Sequence, residues 1–156
     1  ISRLCSIARP NIGVVTRVAS AHTERVGDID GVARAKSELV MALDASGFAV
    51  LNADDEAVVK MAELSDGEVI FFSKYGPNEH TKKHLQKGGR ALFTENNMII
   101  LATGNDQYPL ISTANIPLLQ ASSKTNTLES ILAAVAAAWS LNTPKDIIAA
   151  GLQTYQ

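Results

Sequence analysis

Three short apolar runs set the frame for everything else in this chain: Ile12-Gly13-Val14-Val15-Thr16, Phe48-Ala49-Val50-Leu51-Asn52 and Glu68-Val69-Ile70-Phe71-Phe72-Ser73. Each is short, rich in β-branched or aromatic residues, and bounded by polar or glycine-containing stretches, the mark of a strand buried on both faces. A helical stretch separates each run from the next. Parallel neighbours require such a crossover, so the alternation predicts an α/β fold with a mostly parallel sheet flanked by helices. The first crossover helix is expected from about Gly31 to Leu43, capped by Asp28 or Asp30, with Val32, Ala35, Leu39, Val40 and Leu43 turned inward and Ser46-Gly47 ending it. The second is expected from Glu56 to Leu64, with Asp54 or Asp55 as its cap.

After Ser73 the pattern changes. Lys74 to Gly89 is polar, with a short helix expected near His80 to Lys87. Arg90 to Thr94 and Met98 to Ala102 flank Glu95-Asn96-Asn97, a tight-turn signal that predicts a small added antiparallel element. Pro109 to Leu119 reads as a further strand interrupted by Pro117, which an edge tolerates. Thr127 to Leu141 is alanine-rich and apolar on nearly all sides, the pattern of a buried helix. Thr143-Pro144 opens a last helix, Pro144 to Ala150, with proline at its favoured first position.

The 156 residues suffice for one domain. A net charge of −2 gives no electrostatic case for nucleic acid or an anionic membrane. The local run Lys82, Lys83, Lys87 and Arg90 lacks interleaved aromatics and reads as a solvated helix face. Cys5 is the single cysteine, so an internal disulfide and a zinc-type cysteine cluster are both excluded. That usage fits a cytoplasmic setting. The apolar stretch Ile131 to Trp139 is too short to span a bilayer, and Ile-Ser-Arg-Leu-Cys at the start is no signal peptide.

Ligands of parallel sheets bind at the C-terminal strand ends. Two segments place chemistry there: Ser20-Ala21-His22-Thr23-Glu24 after the first strand, and Asn52-Ala53-Asp54-Asp55 after the second. Adjacent carboxylates suit a hard cation such as Mg²⁺, but they suit a helix N-cap equally. His22 alone reads as a loop histidine, and Lys36 as an exposed helix lysine paired with a carboxylate. The sequence contains no Gly-x-x-x-x-Gly-Lys-Ser/Thr loop and no Gly-x-Gly-x-x-Gly. From the residues alone the expectation is an α/β domain with a candidate cation site.

Taken together, the segments resemble the central ATPase domain of the Mur ligase superfamily. Ala8 to Thr16, Ala21-His22-Thr23-Glu24-Arg25 and Ala33-Arg34-Ala35-Lys36-Ser37-Glu38-Leu39 follow the order and spacing of the ligases that add D-alanyl-D-alanine to a muramoyl tripeptide. Ala49 to Asp55 is shared across the superfamily. From Val69-Ile70-Phe71-Phe72-Ser73 onward, through Gly88-Gly89-Arg90-Ala91, Ala114-Asn115-Ile116-Pro117-Leu118 and Leu132 to Trp139, the chain is more similar to cyanophycin synthetases.

The resemblance implies a part of an ATP-dependent amide ligase acting on an amino-acid or peptide substrate, with ATP and Mg²⁺ as cofactors. It implies that His22 ligates the metal, that Lys36 matches the lysine carbamylated in many members and then binds the metal too, and that Asn52, Asp55 and Asn126 lie on the nucleotide side. It also implies that residues 1–156 form a partial central domain, with the phosphate-binding loop upstream and a closing C-terminal domain downstream. On that basis the isolated chain is expected to show no turnover. The competing expectation is a non-catalytic folded module with an exposed sheet edge, where homo-oligomers would form.

Overall fold

The computed structural model describes residues 1–19, 29–121 and 126–155. Its centre is a six-stranded mixed sheet in sequential order: β1 (Ile12–Val15), β2 (Phe48–Asn52), β3 (Glu68–Ser73), β4 (Arg90–Glu95), β5 (Met98–Thr103) and β6 (Asp106–Ser112). The first four are parallel and the last two antiparallel, as the apolar runs and the hairpin signal require. Helix α1 (Ser2–Ala8), which the sequence reading left unassigned, precedes β1 and ends on Arg9 in the left-handed conformation. Helix α2 (Ile29–Met41) crosses from β1 to β2, and α3 (Glu56–Val59) runs into a 3₁₀ turn, Lys60–Leu64, before β3. Helix α4 (Glu79–Gln86) joins β3 to β4. Helices α5 (Pro117–Ala121), α6 (Thr127–Ser140) and α7 (Lys145–Thr154) complete the chain.

Side chains of a strand alternate between faces, and that alternation divides the core in two. Val50, Ile70, Phe72, Leu92, Ile99 and Leu101 point to one face and pack against Leu132, Val135, Ala136 and Trp139 of α6 and Ile148 of α7. Val15, Ala49, Leu51 and Phe71 point to the other and meet Val40 of α2, Leu43, Val58 and Met61. Each fully buried side chain of this size contributes about 1.5–3 kcal/mol.

Several expectations need correction. Pro117 does not interrupt a strand; β6 ends at Ser112 and Pro117 opens α5, because its fixed φ and missing N–H suit the first helical position as well as an edge. Pro144 caps α7 instead of forming its first residue. Of the two expected caps of α2, Asp30 lies in the first turn instead and Asp28 lies outside the described residues. Arg90 is not part of a solvated helix face. It sits in β4, donates to Glu68 Oε1 at 2.5 Å, and stacks on Phe48 and Trp139 with centroids at 5.4 and 5.1 Å. At the hairpin, Asn96 and Asn97 take φ of 49° and 60°, the paired left-handed conformation of a two-residue turn that asparagine tolerates.

Candidate functional site

The C-terminal ends of β1, β2 and β3 open onto one polar hollow of about 300 Å³, lined by Arg17, Val18, Ala19, Asn52, Asp54, Asp55, Lys74, Tyr75 and Glu129. Several of the lining groups have identifiable anchors. Asn52, the last residue of β2, is buried; its amide donates to Thr16 O at 2.7 Å and its oxygen accepts from Asp54 N at 2.9 Å. The exits of β1 and β2 are thereby tied together.

Asp55 is the N-cap of α3. Its Oδ1 accepts from Ala57 N and Val58 N at 3.0 and 3.3 Å, while Oδ2 accepts from Val18 N at 2.8 Å. The capping role foreseen for one of the two aspartates therefore falls to Asp55, and the same side chain stitches the first strand exit to the second. Asp54 faces the β3 exit, accepting from Ser73 Oγ at 2.6 Å and Lys74 N at 2.8 Å. Asn78 caps α4 through Thr81 N and donates to Ala53 O at 2.7 Å, closing the floor from behind.

Across the hollow, helix α6 carries Glu129, only 5% exposed. Arg17 reaches it through Nη2–Oε2 at 2.9 Å and Nε–Oε1 at 3.4 Å, and Lys74 Nζ lies 3.6 Å from Oε2. The hydrogen bond that Arg17 donates to Glu129, then the carboxylate's charge, raises the Arg17 pKa above its already high value, so the guanidinium stays charged at any working pH. Two cations and a buried carboxylate thus meet where three strand ends converge, although Arg17 and Glu129 are 112 positions apart.

The residues singled out from the sequence fall as follows. Asn52 and Asp55 line the hollow. Asn126 precedes α6 and accepts from Arg17 Nη2 at 2.8 Å, so it steadies the same cation from the rim. Lys36 lies on α2 and donates to Arg17 O at 2.5 Å, on the backbone behind the hollow and not among its lining residues. His22 lies outside the described residues. Among the described residues no group of three His, Cys, Asp or Glu side chains could hold a metal. Arg17, Lys74 and Glu129 were not foreseen; the one signal for Glu129 is a carboxylate inside an otherwise apolar, alanine-rich helix.

Two further hollows have mixed linings. One of about 470 Å³ adjoins the first at the same rim and shares Lys74 and Tyr75 with it. The other, of about 590 Å³, lies at the opposite end of β1 between α1 and α2, beside Cys5, Arg9 and Asp44.

The family model for the Mur ligase middle domain matches residues 1–135. The chain belongs to that family. The cyanophycin synthetase of Nostoc sp. is 35% identical to this Mur ligase middle domain over 149 residues, 94% of the chain and 16% of the relative. The UDP-N-acetylmuramoyl-tripeptide–D-alanyl-D-alanine ligase of Mycobacterium bovis is 45% identical over 74 residues, 47% of the chain and 14% of that relative. The chain therefore spans about one-sixth of the length of the curated relatives it matches. In structure it is similar to MurF from Acinetobacter baumannii, with TM-score 0.67 and 20% identity over 99% of the chain and 31% of that protein. It is similar also to the MurF ligase of Thermotoga maritima in complex with ADP, with TM-score 0.63 and 21% identity over 100% of the chain and 33% of that protein. At these identities the structural likeness concerns the fold. Among the described residues no helix is long and apolar enough to cross a membrane.

Proposed function

We propose that this Mur ligase middle domain is part of an ATP-dependent amide ligase, of cyanophycin synthetase or Mur ligase type, and that the hollow at the β1–β3 rim takes the nucleotide. The observation that supports it most is the convergence of Arg17 and Lys74 on one rim, at the strand ends where α/β sheets bind ligands. In such a ligase ATP activates a substrate carboxylate as an acyl phosphate, and an amine then displaces phosphate to form the amide. The residues of this chain would supply position and charge: Arg17 and Lys74 neutralise phosphate oxygens, and Asn52 and Asp55 fix the loops that present them. Asn126 orients Arg17.

The two aspartates of the lining are held by the fold. Both oxygens of Asp54 and of Asp55 already accept hydrogen bonds. A Mg²⁺ role therefore rests on His22 and a carbamylated Lys36, as the family resemblance implies. Carbamylation would be seen as a carbamate carbon resonance with ¹³C-bicarbonate that Lys36→Ala abolishes; no such signal in the unmodified protein removes Lys36 from the metal site. An amino-acid or peptide substrate, a cytoplasmic setting and a partial-domain role for residues 1–156 belong to the same proposal.

The test is ATP turnover by the product of the full reading frame. Phosphate release that requires an added amino acid or peptide, and falls at least tenfold in Arg17→Ala and Lys74→Ala, is the expected result; turnover unaffected by both changes rules the rim out. A second reading is a non-catalytic module that pairs through β1, which lacks an outer neighbour among the described strands and leaves Val14 38% exposed. A strictly monomeric sedimentation profile would count against it.

A further inference from the structure

We infer that Glu129 is the residue that sets which ligand charge the rim accepts. This rests on the proposed nucleotide reading of the hollow and concerns how that hollow discriminates. Arg17 and Lys74 are the cations of the lining, and Glu129 engages both, at 2.9 and 3.6 Å. Its side chain is 6% exposed while that of Arg17 is 41% exposed. The carboxylate is therefore the fixed member and the guanidinium the one that can turn outward. Glu129 stands where an incoming anion would stand, so an anionic group must share or take over its hydrogen bonds.

The charge balance sharpens the point. Arg17 and Lys74 face three carboxylates in the lining, Asp54, Asp55 and Glu129, which leaves a formal −1. Asp54 and Asp55 spend their charge on backbone N–H groups of the strand exits and α3, whereas Glu129 spends its charge on the two cations of the lining. A free polyphosphate meets a lining whose cations are already neutralised; a polyphosphate carrying its own counter-cation does not need them as much. Glu129 thus favours cation-complexed over free anions, and its removal opens the rim to bare polyphosphate.

The probe is inorganic tripolyphosphate without divalent cation, titrated by calorimetry into the 156-residue chain and its Glu129→Gln variant. The glutamine keeps the shape and one acceptor but removes the charge. The expected result is about tenfold tighter binding by Glu129→Gln at low salt, shrinking at 0.5 M salt (roughly a 4–5 Å Debye length) as screening demands. Glu129→Asp, which keeps the charge, is expected to bind like the unmodified chain. Equal or weaker binding by a folded Glu129→Gln, including none, overturns the inference. Should Glu129→Gln fail to fold, the unmodified chain decides. Tripolyphosphate presented with Mg²⁺ is expected to bind it about tenfold tighter than free tripolyphosphate, and equal or weaker binding with Mg²⁺ overturns the inference. Nucleotide binding away from the rim would instead refute the proposed function and leave the tripolyphosphate result to stand by itself.

Discussion

Replacing Asp55 with alanine separates two meanings of one side chain. Asp55 accepts three backbone N–H groups: those of Ala57 and Val58 at the start of α3, and that of Val18 beyond β1. Losing an N-cap costs about 1 kcal/mol. Leaving the part-buried Val18 N–H without its partner adds about 1–2 kcal/mol, the desolvation cost of an unmet donor. The total of about 2–3 kcal/mol corresponds to a melting-point drop of about 5–10 °C for a domain of this length. Asp55→Asn, whose one oxygen can still cap but whose amide nitrogen would face the Val18 N–H donor to donor, is expected to recover only the capping share, about 1 kcal/mol. Urea and thermal unfolding followed by circular dichroism make the comparison, with no ligand present. An Asp55→Ala protein as stable as the unmodified chain would refute the reasoning, because the carboxylate would then be free for ligand and idle in the fold.

Two other outcomes follow from the structure. Burial holds the His84 pKa below its ordinary value, against the opposing pull of its bond to Val69 O. The unfolded chain therefore binds a proton on His84 first, so this contribution is intact above about pH 6.5 and is lost as pH falls below it toward the folded value. His84→Gln should flatten the loss of stability as pH falls below about 6.5 in urea titrations; an unchanged slope contradicts the assignment. Gly67→Ala would set a Cβ 2.4 Å from Gly47 O and 2.9 Å from Asp44 O, both backbone. The loss expected in the same unfolding assay is about 2–3 kcal/mol, and a neutral result would mean that the close approach of the two loops is not needed.

The sheet was legible because its strands announce themselves locally: the Phe48–Asn52 and Glu68–Ser73 runs match β2 and β3 residue for residue, and β1 stops one residue short of the expected Thr16. The buried character of α6 was equally plain in its alanines. Pro117 misled because one fixed φ serves two structures, a strand edge and a helix start, and only packing against α6 and α7 chooses between them. The site was legible in half. Asn52 and Asp55 stand directly after a strand, so position alone marks them. Arg17 carries no local mark and Glu129 only its charge within an apolar helix; their meeting depends on α6 packing across the ends of β1 and β2, a long-range contact that spacing does not encode. Lys36 illustrates the converse: its resemblance to a modified lysine points to the site, yet its amine is turned to the backbone of Arg17.

The claim that the β1–β3 rim holds a nucleotide is tested most directly by amide chemical-shift mapping of the 156-residue chain with ADP and Mg²⁺. Saturable changes at Val18, Ala19, Asn52, Asp54, Lys74 and Tyr75 are predicted, with an affinity weaker than micromolar. Changes gathered instead around Cys5, Arg9 and Asp44 at the opposite end of β1, or none at millimolar nucleotide, would contradict it.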